Sequence, residues 1–274
     1  MQRFNEQKES SIIEDYKSGS TTVEIAKKWK TYNTSIRRVL LRYGIIPRTT
    51  QKVNRLCKHN PFRRNDEKSD YFLGLLLTDG CITAKSKNTY TINLSLSEVD
   101  GYMVEAFRDW ASPKTKVSKT LQKLNNSYMY SCNIMNEEAV EWLRRKGNFY
   151  RKSYECKIYI PLNWNILRGI FDGDGGFRRT NKSGIGFFIC GKSEVFIRQI
   201  EKFLIKEGFS PKVTLQHSLY YVSIYRLKEV ENIGLKLYNN AHIFLNRKYD
   251  KWLAFYESRR ANGVNSGKEM AIQP

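Results

Sequence analysis

Two short apolar runs in this chain each end in an acid followed by glycine, at residues 72–80 and 167–175. Within each run, small residues recur four positions apart, and residues at that spacing lie on the same face of an α-helix. Small residues on one face allow two helices to pack closely, as they do in membranes. The runs therefore predict two buried helices in contact through these residues: Gly74, Thr78, Gly169 and Gly173.

Each run ends in a carboxylate at the edge of a predicted interior, Asp79 in the first and Asp174 in the second. A carboxylate in such a place is costly unless it binds something, and two of them repel unless cations lie between them. Mg²⁺ suits this setting, because one or two carboxylates plus phosphate oxygens usually hold it. For either run alone, a core helix followed by an ordinary Asp-Gly turn is an equal alternative.

The surroundings of the two runs are also duplicated, which favours the metal site. The two acids are 95 positions apart, and other short patterns recur at nearly the same offset: residues 97–99, 104–107 and 151–152 match 193–194, 200–203 and 247–248. A repeat of this length predicts one structural unit present twice over residues 68–255, with a pseudo-two-fold axis between the copies.

Each copy shows the same order of hydrophobic patterns. Alternation of apolar and polar residues predicts strands, and an apolar period of 3.6 residues predicts helices. In the first copy, a strand pair runs to residue 96, and a helix, a hairpin and a second helix follow at residues 99–110, 116–135 and 137–146. In the second copy the patterns cover residues 177–190, 193–207, 212–225 and 227–238.

The chain is strongly basic, with 47 Lys and Arg against 27 Asp and Glu and a net charge of +20. That charge favours a polyanionic partner, above all nucleic acid, over a basic surface that only confers solubility. No signal peptide and no membrane-spanning run is apparent. The expected location is therefore the cytoplasm, or an organellar matrix if the gene is organellar, rather than secretion.

The five cysteines show no paired spacing, which fits reduced thiols better than a disulfide framework. Cys57 and His59 resemble half of a zinc site. No second half stands at finger-like spacing, so a zinc site is rejected.

The first quarter of the chain has its own helical pattern and half of the excess charge. Residues 1–65 hold 15 Lys and Arg against 5 Asp and Glu, in three amphipathic stretches around Ile12, Ile25 and Ile36. This arrangement resembles the helix-turn-helix of resolvases and many repressors, although Lys30 or Thr31 occupies a turn position often held by glycine. The alternative is a basic three-helix appendage that only packs on the rest of the protein.

In the helix-turn-helix interpretation, the third helix presents its exposed face to base edges and phosphates. The residues expected on that face are Thr34, Ser35, Arg37, Arg38 and Arg42.

At residues 72–80 and 167–175 the chain resembles the LAGLIDADG homing endonucleases that carry two motifs in one chain. The second motif departs mainly at Arg168, where the family has a small residue. The first keeps Asp79 and the glycine after it but has Leu77 and Thr78 in place of an acid and a small residue. The resemblance covers about two thirds of the chain. It implies an α+β fold, in which two pseudo-symmetric αββαββα half-domains place antiparallel sheets as a saddle in the major groove of DNA, beside a small all-α N-terminal domain.

The resemblance also implies a monomeric, site-specific endonuclease that acts on a long asymmetric double-stranded DNA target. It implies Mg²⁺-dependent cleavage of both strands with short 3′ overhangs, by two or three ions that Mn²⁺ or Ca²⁺ can replace in binding. The implied metal ligands are the ends of the two motifs: Asp79, Gly80, Asp174 and Gly175. In this family a basic residue borders each active site. Lys152 and Lys248 match that position here, and would polarise water or offset phosphate charge. The alternative is that they only contact phosphates of the DNA.

Base reading would fall to the sheets, because a β-ribbon fits the major groove and every second residue faces it. We therefore expect DNA contacts from residues at even-numbered offsets after each acid, and from some positions on later strands. These residues are Thr83, Lys85, Lys87, Gln122, Arg178, Thr180, Lys182, Thr214 and Gln216. These residues differ between the two halves, so the target need not be palindromic.

The patterns divide the chain into a helix-turn-helix domain (residues 1–50), a basic linker (51–66), two half-domains (67–160 and 161–257) and a disordered tail (258–274). Two other functions use the same scaffold, namely an RNA-binding intron maturase and a DNA-binding regulator without nuclease activity. Retention of both terminal acids argues against the regulator, because a binding protein gains nothing from two carboxylates that repel. A maturase that is also a nuclease, with RNA as a further partner, stays open.

Overall fold

A computed structural model describes residues 4–47, 59–86, 89–123, 126–149, 152–179 and 184–264. Its contacts divide the chain into two compact units, Met1–Arg55 and Leu56–Pro274. Each unit has its own apolar core. Within the described ranges, no helix is long and apolar enough to cross a membrane.

The described residues of the first unit form three helices around a small core. The helices are α1 (Glu6–Lys17), α2 (Thr22–Lys28) and α3 (Asn33–Arg42). Each contributes an isoleucine that is almost fully buried: Ile12, Ile25 and Ile36. Thr21 and Glu24 begin α2 with a reciprocal capping box, in which each side chain accepts a hydrogen bond from the other residue's backbone N–H. Lys30 has φ 46° in the turn that follows α2, a left-handed conformation that favours glycine.

The second unit contains one order of elements twice. The first copy comprises α4 (Glu67–Thr78), β1 (Gly80–Ser86), β2 (Thr89–Ser97), α5 (Gly101–Ala111), β3 (Val117–Gln122), β4 (Ser127–Ile134), α6 (Glu137–Lys146) and the short α7 (Lys152–Glu155). The second comprises α8 (Trp164–Asp174), β5 (Gly175–Arg179), β6 (Ile185–Gly191), α9 (Glu194–Lys206), β7 (Lys212–Gln216), β8 (Leu219–Ile224), α10 (Leu227–Tyr238) and α11 (Asn246–Val264). The predicted α+β fold with duplicated half-domains is confirmed.

Each copy forms a four-stranded antiparallel sheet, with strand orders β1-β2-β4-β3 and β5-β6-β8-β7. Rows of paired, buried apolar side chains cross both sheets: Ile82, Ile92 and Ile134 in the first, and Phe177, Phe187 and Ile224 in the second. Because side chains alternate between the faces of a strand, one face of each sheet packs into the core. The opposite face, called the open face below, carries mainly polar side chains.

The segment predicted as a basic linker, residues 51–66, is a linker only in part. Pro61–Arg64 forms a 3₁₀ turn in which Phe62 is fully buried. Its ring centroid lies 5.1 Å from that of Trp110 and 5.3 Å from that of Trp142. Four basic residues near Phe62 gave the segment the pattern of a linker, so the burial of this one apolar side chain was not predicted. Residues 48–58 lie outside the described ranges.

The tail predicted to be disordered from residue 258 begins instead as helix. Helix α11 continues to Val264, and residues 265–274 are not among those described. Trp252 and Phe255 are buried against the core of the second unit, and Arg259 donates a hydrogen bond to Glu231 of α10. These tertiary contacts extend the helix although its last turns are polar.

Candidate active site and nucleic-acid interface

Helices α4 and α8 touch through their backbones at two glycines. A Cβ atom at Gly74 would lie 2.1 Å from the carbonyl oxygen of Ile166, and one at Gly169 would lie 2.0 Å from that of Tyr71. Neither position leaves room for a side chain. The close contact between the two motif helices therefore requires glycine at both positions.

The same packing brings the two motif acids to one end of the helix pair. Asp79 is the C-cap of α4, and Asp174 is the last residue of α8. A Cβ atom at Gly173 would lie 1.9 Å from Thr78 Oγ1 and 2.7 Å from Asp79 Oδ2. The Asp79 carboxylate thus lies against the residue that precedes Asp174. The four predicted interface residues and the two predicted acids lie together.

Both acids reach solvent, yet the surrounding protein removes part of their hydration. That loss, and after it the charge of Asp174, raises the pKa of Asp79 to about 6. Burial also raises the pKa of Asp174, against the lowering effect of Lys152 and Lys248. Two neighbouring carboxylates at helix C-termini, where the helix dipoles add negative potential, form a site that favours a cation.

The donor set fits a hard divalent cation such as Mg²⁺, which needs only one or two carboxylates when phosphate and water complete its shell. In the described part of the chain, no group of three or more His, Cys, Asp or Glu side chains could hold a metal. Of the two glycines predicted as ligands, Gly175 accepts a hydrogen bond from Lys248 Nζ at 2.6 Å, and Gly80 pairs with Leu94 in the sheet. Gly175 also pairs with Ile189 in its sheet, so both glycines have partners within the protein.

Lys152 and Lys248 lie beside the acids, with their amino groups directed at the ends of the motif helices. The Lys248 amino group lies 2.6–3.3 Å from four backbone carbonyl oxygens at the end of α8 and the start of β5. The Lys152 amino group lies 2.5 and 2.8 Å from two at the end of α4. Burial lowers the pKa of both amino groups to about 8. Lysines held in this way act on the site through their charge and by fixing the helix ends.

We expect Lys248→Met to lower the free energy of unfolding by about 1–3 kcal/mol, because buried carbonyl oxygens would lose their donor. Lys152→Met should cost less, since its amino group serves two carbonyl oxygens and not four. Urea unfolding followed by circular dichroism measures both, with the exposed Lys251→Met as the control. Wild-type stability in Lys248→Met would contradict the capping role.

Arg168, the departure from the family's small residue, is 2% exposed and connects the two copies. Its guanidinium donates to the carbonyl oxygens of Leu237 and Ile243 at 2.9 Å each, and to the carboxylate of Glu67 at the start of α4. The three partners satisfy a charge that burial would otherwise disfavour. Arg168 and Glu67 thus form a partly buried ion pair between the two halves.

Asp172, the other acid of the second motif, is a site residue that the sequence reasoning missed. It is 1% exposed and accepts hydrogen bonds from the Tyr71 hydroxyl at 2.8 Å and the Leu245 backbone N–H at 2.7 Å. Burial raises its pKa to about 6, against the charge of Lys248. The resemblance could have indicated this residue, because the family motif has an acid at the position of Asp172. The first motif has Leu77 at the equivalent position.

The open faces of the sheets carry those predicted DNA-contacting residues whose side chains the structure describes. They are Thr83 and Gln122 on the first sheet and Arg178, Thr214 and Gln216 on the second, all exposed. Lys85 belongs to β1, whereas Lys87, Thr180 and Lys182 fall outside the described residues.

The prediction of DNA-contacting residues from even steps beyond each acid left out residues on the central strands of both sheets. The open face of the first sheet also carries Asn93 and Ser95 of β2 and Ser131 and Asn133 of β4, which pair directly across the strands. On the second sheet, Phe188 of β6 and Tyr221 of β8 lie beside Arg178. The alternation of residues 91–96 was the available signal for the first set, because it places Asn93 and Ser95 opposite the apolar face.

In the first unit, the predicted DNA-contacting residues lie on α3. Of these, Ser35 is half-buried and the others are exposed: Thr34, Arg37, Arg38 and Arg42. Arg42 also forms an ion pair with Glu9 of α1, whose side chain is buried. That ion pair holds one of the four exposed predicted DNA-contacting residues against its own unit.

No protein-family model matches the chain, and neither does any curated protein. Solved structures do match. The I-SmaMI LAGLIDADG homing endonuclease bound to cleaved DNA superposes with a TM-score of 0.53 at 11% identity, over 75% of this chain and 91% of that one. I-SmaMI bound to an uncleaved DNA target in the presence of calcium ions gives a TM-score of 0.52 at 12% identity, over 75% and 93%. At this identity the likeness is one of fold, and the chain has the LAGLIDADG homing endonuclease fold that its two motifs implied.

Proposed function

We propose that this chain is a site-specific endonuclease that cuts both strands of a long asymmetric DNA target. It would hydrolyse phosphodiester bonds with Mg²⁺ and leave short 3′ overhangs. The observation that carries the proposal is the exposed pair of carboxylates, Asp79 and Asp174, at the shared end of α4 and α8. Structures of the same fold hold cleaved and uncleaved DNA, and the net charge of +20 suits a polyanionic substrate.

In this proposal Asp79 and Asp174 are the residues that would hold the cations required for cleavage. Bound Mg²⁺ would supply an activated water and stabilise the leaving 3′ oxygen. Lys152 and Lys248 favour the ionised, ligating form of both acids, because positive charge lowers both pKa values. The two lysines are thus positioning residues, and no side chain needs to act as a strong base.

A regulator that only binds DNA is less consistent with the site than a nuclease. Two exposed carboxylates repel both each other and DNA phosphates unless cations neutralise them. Their presence at the end of the helix pair therefore weakens binding by a metal-free protein.

The test is plasmid linearisation, with a target selected from randomised DNA or the gene's own insertion site. We expect linear product with Mg²⁺, none with EDTA, and recovery when Mg²⁺ is restored. Asp79 has a pKa of about 6 and becomes protonated below that value, so the Mg²⁺ concentration required should rise as the pH falls from about 7 to about 5. Linearisation in EDTA would contradict the proposed chemistry.

We further propose that the first unit docks on DNA beside the main target and lengthens the footprint. Removing residues 1–58, which keeps the buried Phe62, should leave the cleavage positions unchanged and weaken binding. It should also flatten the salt dependence, because fewer phosphates are neutralised. Footprinting of both forms at two salt concentrations decides this, and an unchanged footprint with an unchanged salt slope would contradict it.

A further inference from the structure

The two open faces differ in chemistry. On the two central strands of the first sheet, the paired side chains are neutral and hydrogen-bonding: Asn93, Ser95, Ser131 and Asn133. On the second sheet, an exposed arginine lies against two half-buried aromatic rings. Amide and guanidinium groups recognise different bases in the major groove, so this difference bears on the sequence of the target.

The two asparagines of the first sheet hold each other in place. Nδ2 of Asn93 donates to Oδ1 of Asn133 at 3.0 Å, and the Ser95 hydroxyl donates to Oδ1 of Asn93 at 2.9 Å. The hydroxyls of Ser95 and Ser131 lie 2.7 Å apart and continue the network. Donors thus face both amide oxygens, which fixes the orientation of both amides.

Asn133 is the exposed member of this network and retains capacity for a further ligand. Its Nδ2 carries two N–H groups, and its Oδ1 keeps a lone pair beyond the one used by Asn93. A donor and an acceptor side by side match N7 and N6 of adenine, which asparagine recognises with two hydrogen bonds. Because Asn93 already orients the amide, less freedom is lost on binding. Asn133 is therefore suited to contact adenine, with Asn93 as its positioning residue.

Arg178 is held differently, by the aromatic rings of the second sheet. Its guanidinium carbon lies 4.6 Å from the ring centroid of Phe188 and 5.5 Å from that of Tyr221. Stacking restrains the planar group and leaves its N–H edge available. That edge matches O6 and N7 of guanine, and an apolar ring beside it suits a thymine methyl group.

We propose that Asn133 selects an adenine in the half-site contacted by the first sheet, and that Arg178 selects a guanine in the half-site contacted by the second. This inference rests on the proposed function, since it places both open faces in the major groove. The protein would then distinguish the two ends of its target by different hydrogen-bonding groups, and this fixes its orientation on the DNA.

The test compares binding profiles of the full-length protein and its variants on a randomised duplex pool, in Ca²⁺ rather than Mg²⁺. Asn133→Asp keeps the bond from Asn93 but presents only acceptors, so the preferred base should change from adenine to cytosine at one position. Arg178→Gln should change guanine to adenine at one position in the other half. Each change should alter the preference by about 5- to 150-fold, with the remaining positions unchanged.

Two further variants serve as controls. Asn93→Ala should keep the adenine preference but weaken it, which separates a positioning role from direct contact. Arg198→Gln removes the same charge as Arg178→Gln from an exposed residue of α9 that pairs with Glu194 and Glu201, and should leave the profile unchanged. Thermal unfolding of every variant is measured to test whether the fold is intact.

Unchanged profiles for Asn133→Asp and Arg178→Gln would overturn the inference and leave the proposed nuclease standing. So would a uniform loss of binding without a change of preferred base, since that is the behaviour of a phosphate contact. A wild-type protein that selects no sequence and cuts no DNA would instead overturn the proposed function.

Discussion

Replacing Asp174 by asparagine is expected to abolish double-strand cleavage while leaving DNA binding largely intact. Asparagine keeps the shape of the side chain but lacks the charge that holds a cation, which should lower the rate by at least about a hundredfold. Asp79→Asn should behave in the same way, because the two acids occupy matching ends of α4 and α8. Plasmid assays that separate supercoiled, nicked and linear forms measure the effect.

A stability measurement distinguishes loss of chemistry from loss of fold. Burial raises the pKa of both acids, and the charge of Asp174 raises that of Asp79 further, so neither variant should unfold at a lower temperature than the wild type at neutral pH. The exposed Asp250→Asn on α11 removes the same charge elsewhere and should cut normally. Full linearisation by either motif variant would show that the acids do not carry the reaction.

Replacing Gly169 by alanine is expected to lower the free energy of unfolding by more than about 3 kcal/mol. The added methyl group would lie 2.0 Å from the backbone carbonyl oxygen of Tyr71, and a helix backbone cannot yield as a flexible side chain can. In Gly74→Ala the added methyl group would lie 2.1 Å from the carbonyl oxygen of Ile166, so the free energy of unfolding should fall by a similar amount. The two losses should not add, because both act by separating α4 from α8.

Gly191→Ala is the matched control, since its added methyl group would meet no heavy atom closer than 3.7 Å. Its stability should stay within about 0.5 kcal/mol of the wild type. Urea unfolding of the three variants provides the comparison. A Gly169→Ala protein as stable as Gly191→Ala would mean that the helices can separate without loss.

The helix pair and its acids were predictable because each depends on local spacing. Gly74 and Gly169 each stand in an apolar run at the same distance from a terminal acid, and the duplication joined two weak signals into one strong one. The strands were also predictable, because apolar and polar residues alternate along them. These features need no knowledge of which distant residues touch.

Several of the features that were missed depend on contacts between residues far apart in the chain. Phe62 lies in a basic segment of the sequence, and its burial depends on contacts with Trp110 and Trp142. The end of α11 is polar in sequence, and its helix depends on the packing of Trp252 against the core. The orientation of Lys248 could not be predicted, because a lysine near a motif can face either phosphate or carbonyl oxygens. The asparagine network of the first sheet requires the register of β2 against β4, which alternation alone does not fix.

The ion pair between Arg168 and Glu67 breaks the symmetry between the two copies. With the two acids 95 positions apart, the counterpart of Arg168 in the first half is Leu73, and the counterpart of Glu67 in the second half is Leu162. A symmetric dimer built from two second halves would therefore bury two guanidinium groups, each facing leucine instead of a carboxylate. Each guanidinium would keep the carbonyl oxygens of Leu237 and Ile243 but lose its carboxylate partner, which is unfavourable for a buried charge. The two halves are therefore not interchangeable at this contact, because only the first supplies the carboxylate and only the second supplies the guanidinium.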